Sequence, residues 1–137
     1  MPEIDLATLG SAPIPGDSPT GKSARDEVEF DQLKAELGKL ELDPTSVKWS
    51  EVVSLCSNIL STKSKDILVA VYLAAALVQT KGKRGLTAGL RVCKDMVSTY
   101  WLTMWPEASR LKGRAAAFNW LVERLEKVLP GITAPGA

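Results

Sequence analysis

The sequence predicts an all-α fold: a bundle of about five helices around a central buried helix, residues 67–80, with an extended N-terminal arm. Three observations lead there. The 12-residue run from Ile67 to Val78 holds only Ile, Leu, Val, Ala and one Tyr. It falls short of the roughly 18–20 apolar residues that a bilayer requires, and Lys63, Lys65 and Lys81 flank it. A helix that is apolar all round hides from water only among other helices. The segments on both sides show helical periodicity, and no stretch alternates with period two long enough to make a strand.

In chain order, residues 1–22 carry Pro2, Pro13, Pro15 and Pro19 with Gly10, Gly16 and Gly21, a density of breakers that excludes a long helix and reads as an extended arm. Ser23-x-x-Asp26 has the form of a capping box. Asp26, Glu27 and Glu29 suit a helix start, and Phe30, Leu33, Leu37 and Leu40 recur at 3, 4, 3, so helix one is expected from Ser23. Asp43-Pro44 or Ser46 opens helix two, with Trp49, Val52, Val53, Cys56, Ile59 and Leu60 as its stripe. Ser64 is the expected cap of helix three, with Asp66 in its first turn, and Gly82 and Gly85 stop it. Helix four repeats Leu86, Leu90, Cys93, Val97, Tyr100 and Met104 as its seam and ends at Pro106. Helix five begins after Gly113, shows Phe118, Leu121, Val122, Leu125, Val128 and Leu129, and stops at Pro130-Gly131. Short connections make successive helices antiparallel neighbours. The domain division is an arm over 1–22, a helical domain over 23–130, and a linker over 131–137 leading to a further C-terminal region.

Composition narrows the function. At 137 residues, 45% hydrophobic and 24% charged, the chain fits one domain with a real core. There is no histidine, which removes the commonest general base and metal ligand and every Ser-His-Asp or Cys-His arrangement. Cys56 and Cys93 sit at apolar helix positions without CxxC spacing and are expected as reduced core thiols. The acidic start Met1-Pro2-Glu3-Ile4-Asp5 lacks a signal peptide's basic and apolar regions, so a cytoplasmic location is expected. Residues 1–30 carry 2 basic and 6 acidic side chains, residues 81–127 carry 10 and 4. Those basic charges are dispersed, which reads first as solvated helix faces and second as nucleic-acid affinity.

Gly16-Asp-Ser-Pro-Thr-Gly21-Lys22-Ser23 satisfies the letters of a phosphate-binding P-loop. The mechanism needs a strand ahead of the loop, free backbone N–H groups and a sheet that supplies an Asp for magnesium. Ala12-Pro13-Ile14-Pro15 cannot form a central strand and Pro19 lacks a donor, so Lys22 and Ser23 read as a solvated lysine and a helix cap. The acids at 26, 27 and 29 are the ordinary content of a first helical turn. Trp49, Tyr100, Trp101, Trp105 and Trp120 read as structural anchors in core or interface. Lys81, Lys83 and Arg84 form the sharpest basic point and are the candidate partner-binding residues. No catalytic residue, metal ligand or cofactor is expected.

The arm Pro13-Ile14-Pro15-Gly16-x-x-Pro19-x-Gly21-x-Ser23-x-Arg25-Asp26 followed by Phe30-x-x-Leu33 resembles the opening of the ImpA N-terminal domain, found in TssA-type proteins of bacterial type VI secretion systems. Lys48-Trp49-Ser50-x-Val52, Ser64-Lys65-Asp66-Ile67-x-Val69-Ala70-Val71-Tyr72-Leu73, Gly85-Leu86-x-x-Gly89-Leu90, Trp101-x-x-x-Trp105-Pro106 and Arg114-x-x-x-Phe118-x-Trp120-Leu121 continue the resemblance over roughly residues 12–125. It implies a non-enzymatic assembly protein of the cytoplasm that docks onto baseplate, sheath or tube subunits and oligomerises through a C-terminal region. It also implies that Arg25 is buried against the body as a structural contact. Two features depart from the family: the basic turn at Lys83-Arg84 and the short loop between Pro106 and Arg114. The contrasting readings are a P-loop-like nucleotide-binding protein and a basic nucleic-acid-binding helical domain.

Overall fold

Residues 69–78 are buried without exception, most of them completely, so the apolar run is the axis of the molecule. The computed structural model describes residues 5–131. Around the axis lie α1 (Leu6–Leu9), α2 (Val28–Gly38), α3 (Trp49–Thr62), α4 (Ile67–Tyr100) and α5 (Leu111–Val128). Among the described residues the extended pairing is confined to two isolated bridges, Gly21 with Ser64 and Asp66 with Trp105. The fold is all-α. Beyond Gly131, the tail expected to act as a linker lies outside the described residues, as do residues 1–4 of the arm.

Helix α4 is a hairpin. Gly82 has φ +61 and ψ −139, which is not helical, and it reverses the chain between residues 67–81 and 83–100. Glycines then let the two arms close. A Cβ placed on Gly85 would lie 1.9 Å from the Leu77 carbonyl oxygen, and one on Gly89 would lie 2.5 Å from Ala74 Cα. The seam of the second arm is therefore Gly85, Gly89, Val92, Cys93, Met96 and Tyr100. The expected seam is shifted by this close approach: Leu86 and Val97 are only half-buried and Leu90 is 44% exposed.

Two helix starts come later than the sequence reading because polar capping residues open a turn that stops before the helix proper, and the cap of a third is displaced. Ser23 caps a 3₁₀ turn at Ala24–Asp26, and α2 begins only at Val28. Asp43 caps a 3₁₀ turn at Pro44–Ser46, and α3 begins at Trp49. There the Lys48 amide donates to Glu36 Oε2 at 2.7 Å, so a carboxylate from α2 caps α3 from outside. Asp66, not Ser64, caps α4, its Oδ1 accepting from the Leu68 amide at 2.9 Å. Ser64 is buried and its hydroxyl has no partner among the described residues. Helix α4 ends at Tyr100, before Pro106, where the carbonyls of Trp101, Met104, Trp105 and Pro106 take donors from elsewhere in the fold, and α5 begins ahead of Gly113.

Candidate functional site

The two ends of the bundle use charge in opposite ways. At the base, where α4 starts and its second arm finishes, polar side chains are turned inward. Lys65 is fully buried between the arm and α3, and its Nζ donates to the carbonyls of Leu9 and Leu60, both at 2.6 Å. Burial pushes this ammonium down to about 8 from its ordinary 10.5. Trp105 donates its Nε1–H to the Gly21 carbonyl, its amide donates to Lys65 O, and its own carbonyl accepts from the Ile67 amide. Tyr100 donates its hydroxyl to Ser11 O. The arm is thus tied to the body at Leu9, Ser11 and Gly21, and it also buries Leu9, Ile14 and Thr20.

Arg114 organises the connection into α5. Its Nε donates to Pro106 O at 2.8 Å, Nη1 to Trp101 O at 2.7 Å and Nη2 to Met104 O at 2.9 Å, while the guanidinium lies 4.6 Å over the Trp101 ring. Burial lowers its pKa, yet a guanidinium remains charged. One buried cation therefore folds a loop that has almost no regular structure of its own. Neither Lys65 nor Arg114 stands out by residue type in the sequence. The available signal for Arg114 is position: it precedes Ala117 and Leu121 at 3 and 7 residues, on the inner stripe of α5.

Arg25 reaches Asp66, with Nε 3.1 Å from Oδ2, and lies over the Phe30 ring. The contact forms, but burial falls on the partner: the Arg25 side chain is 43% exposed and that of Asp66 is 0% exposed. Trp120 packs edge-on against Tyr72, and Arg124 lies over Trp49. Trp101 is 42% exposed, serving as a lid on Arg114 rather than as core.

The segment with P-loop letters adopts no phosphate cradle. Ile14 donates its amide to Pro19 O, closing the loop on itself, and the Lys22 amide is directed at Lys63 O. A Cβ on Gly21 would meet that same oxygen at 2.1 Å. A 3₁₀ turn, not an α-helix, follows Ser23. Both cysteines are buried and free, and burial raises the Cys93 thiol to about 12. Among the described residues no cluster of three or more metal-ligating side chains converges, and no helix is long and apolar enough to cross a membrane.

At the opposite end, the tip of the α4 hairpin presents Lys81, Lys83 and Arg84, all exposed. None of the three side chains makes an ion pair among the described residues. Gly82 between them holds a left-handed φ that other residues adopt only with strain, and Gly85 locks the tip against Leu77. Three cations are therefore carried on a turn whose backbone is fixed from below.

A model of the ImpA N-terminal region of the type VI secretion system matches residues 11–123. Among solved structures, a similar one is the N-terminal domain, including the conserved ImpA_N region, of the TssA component of the type VI secretion system from Burkholderia cenocepacia. It superposes with a TM-score of 0.77 at 29% identity, over 93% of this chain and 49% of that one. The chain thus spans about half the length of that structure. No curated protein sequence matches it.

Proposed function

The chain belongs to the ImpA N-terminal family of type VI secretion system proteins, and from that premise we propose that it is a docking module of a TssA-type protein. In this reading it works in the cytoplasm, binds a baseplate, sheath or tube subunit, performs no chemistry, and is gathered into an oligomer by a region beyond this domain. The observation that supports docking is the basic tip. Unpaired cations on a rigid turn lose little conformational freedom on binding and attract an acidic surface, raising the rate of encounter. Three point charges without an aromatic among them make a poor track for a nucleic-acid backbone, which favours a protein partner.

The test is a pull-down with the domain immobilised through its C-terminus, against the baseplate, sheath and tube subunits of the same secretion locus. Retention of one subunit, reduced by Lys83→Glu with Arg84→Glu, is the expected result. Failure to retain any subunit with a folded domain on the resin overturns docking by this module. Retention unaffected by the double substitution moves the interface away from the tip.

A further inference from the structure

Helix α5 and the first residue of the 3₁₀ turn after it (Leu129–Gly131) carry a second apolar stripe that packing leaves partly uncovered. Leu111, Ala115, Phe118, Val122, Leu125 and Leu129 recur at 4, 3, 4, 3, 4, the spacing of a helix that lies along another helix. In the bundle α5 turns a different face inward, burying Arg114, Ala117 and Leu121. Along the stripe Phe118 and Leu125 are half-buried, and the other four positions are exposed, Leu111 by 58% and Val122 by 53%. A soluble helix keeps such a ledge in water at a cost that a partner removes.

The charges beside the stripe identify that partner. On its outer flank stand Lys112, Asn119 and Glu126, seven residues apart and all exposed, and neither charge has an ion-pair partner among the described residues. The flank thus reads positive, neutral, negative along the helix. An identical helix laid antiparallel brings Glu126 of one copy to Lys112 of the other at both ends and sets Asn119 against Asn119 in the middle. The same register pairs Leu111 with Leu129, Ala115 with Leu125 and Phe118 with Val122, so the apolar layers fall into line together, with Ala115 facing the larger Leu125. A parallel alignment would instead set like charges level with one another.

We propose that α5 is a self-complementary dimerisation face, occupied by the α5 of a second copy in an antiparallel pair whose two-fold axis passes between Phe118 and Val122. This goes beyond docking through the hairpin tip and is independent of it. The seam is about 27 Å long by helical rise, a small interface, so the dimer is weak and reversible, with a Kd on the order of 10–100 µM.

Sedimentation equilibrium of the 137-residue chain, loaded from about 5 to about 500 µM, reads it directly. A concentration-dependent monomer–dimer equilibrium is expected. Val122→Glu is expected to leave a monomer throughout with its helical circular dichroism intact, because Val122 is already 53% exposed. Lys112→Glu alone is expected to weaken pairing about tenfold, and adding Glu126→Lys to restore it to within about twofold. Should Val122→Glu lose helicity, the charge swap decides alone, since both positions lie on the surface. A wild-type monomer at every loading overturns the proposal and leaves the ledge to a region beyond this domain or to a different protein. A dimer indifferent to Val122→Glu, or a swap that fails to rescue, overturns this face or this register.

Discussion

The base and the tip of the bundle carry the same kind of side chain to opposite ends. At the base, Lys65 and Arg114 are buried and every polar hydrogen they contribute to a bond goes to a backbone carbonyl, five bonds in all. At the tip, Lys81, Lys83 and Arg84 stand in solvent with no ion pair among the described residues. A buried cation surrounded by carbonyls has become a piece of architecture that fixes irregular chain. An exposed one costs nothing to solvate and stays available. Basic residue type alone therefore says nothing about role in this molecule, while the number of carbonyls around it does.

The contrast is broken most severely by Arg114→Met, which strands the carbonyls of Trp101, Met104 and Pro106 at once. Urea unfolding is expected to show a loss of about 3–5 kcal/mol. Next is Gly85→Ala, which puts a methyl 1.9 Å from the Leu77 carbonyl oxygen and forces the hairpin arms apart, for an expected loss of about 2–4 kcal/mol in the same assay. Lys65→Met leaves the Leu9 and Leu60 carbonyls without their donor, with about 2–3 kcal/mol expected at neutral pH.

That last substitution also has a pH signature. The folded pKa of Lys65 is lowered to about 8 against an ordinary 10.5, so below about pH 8 both states hold the proton and the desolvation cost is felt in full. Between those values the unfolded chain binds a proton that the folded chain has released, and stability rises with pH. The stability difference between wild type and Lys65→Met is therefore expected to widen in favour of wild type over that window, and a flat difference would mean that the two carbonyls hold the ammonium charged. Ser64→Ala sharpens the comparison from the other side. It removes a buried hydroxyl that caps nothing and is expected to be neutral or stabilising by up to about 1 kcal/mol. Smallest is Lys83→Glu with Arg84→Glu at the tip, expected to change the unfolding free energy by less than about 0.5 kcal/mol while lowering partner affinity in the pull-down.

The fold class and the central helix were legible because a 12-residue apolar run too short for a bilayer can leave water only inside a bundle, and the basic glycine turn does separate two antiparallel helical arms. The seam of the second arm was not legible from its leucines. Gly85 and Gly89 do the packing there by having no side chain, and a periodicity count of apolar residues passes over them. Ser23 and Asp43 were recognisable as caps and read as opening helices one and two, but local letters do not say whether the turn they open continues into an α-helix, and here each opens a separate 3₁₀ turn. The cap of α4 went to Asp66 because Ser64 is pulled into the bridge with Gly21. Arg25, expected to be buried against the body, stays half in solvent while its partner Asp66 takes the buried place. The α5 ledge needed the structure, since only the packing shows which of two adjoining apolar stripes is left over.

The three side-chain hydrogen bonds that hold the arm have a temporal consequence. The hairpin closes on neighbours in sequence, but the arm waits for partners 56, 84 and 89 residues away, at Lys65, Trp105 and Tyr100. Contacts of such separation form late, because the loops they close carry a large entropy cost. During synthesis the arm therefore emerges well before the residues that hold it, and until Trp105 has followed, the groove it fills stands open.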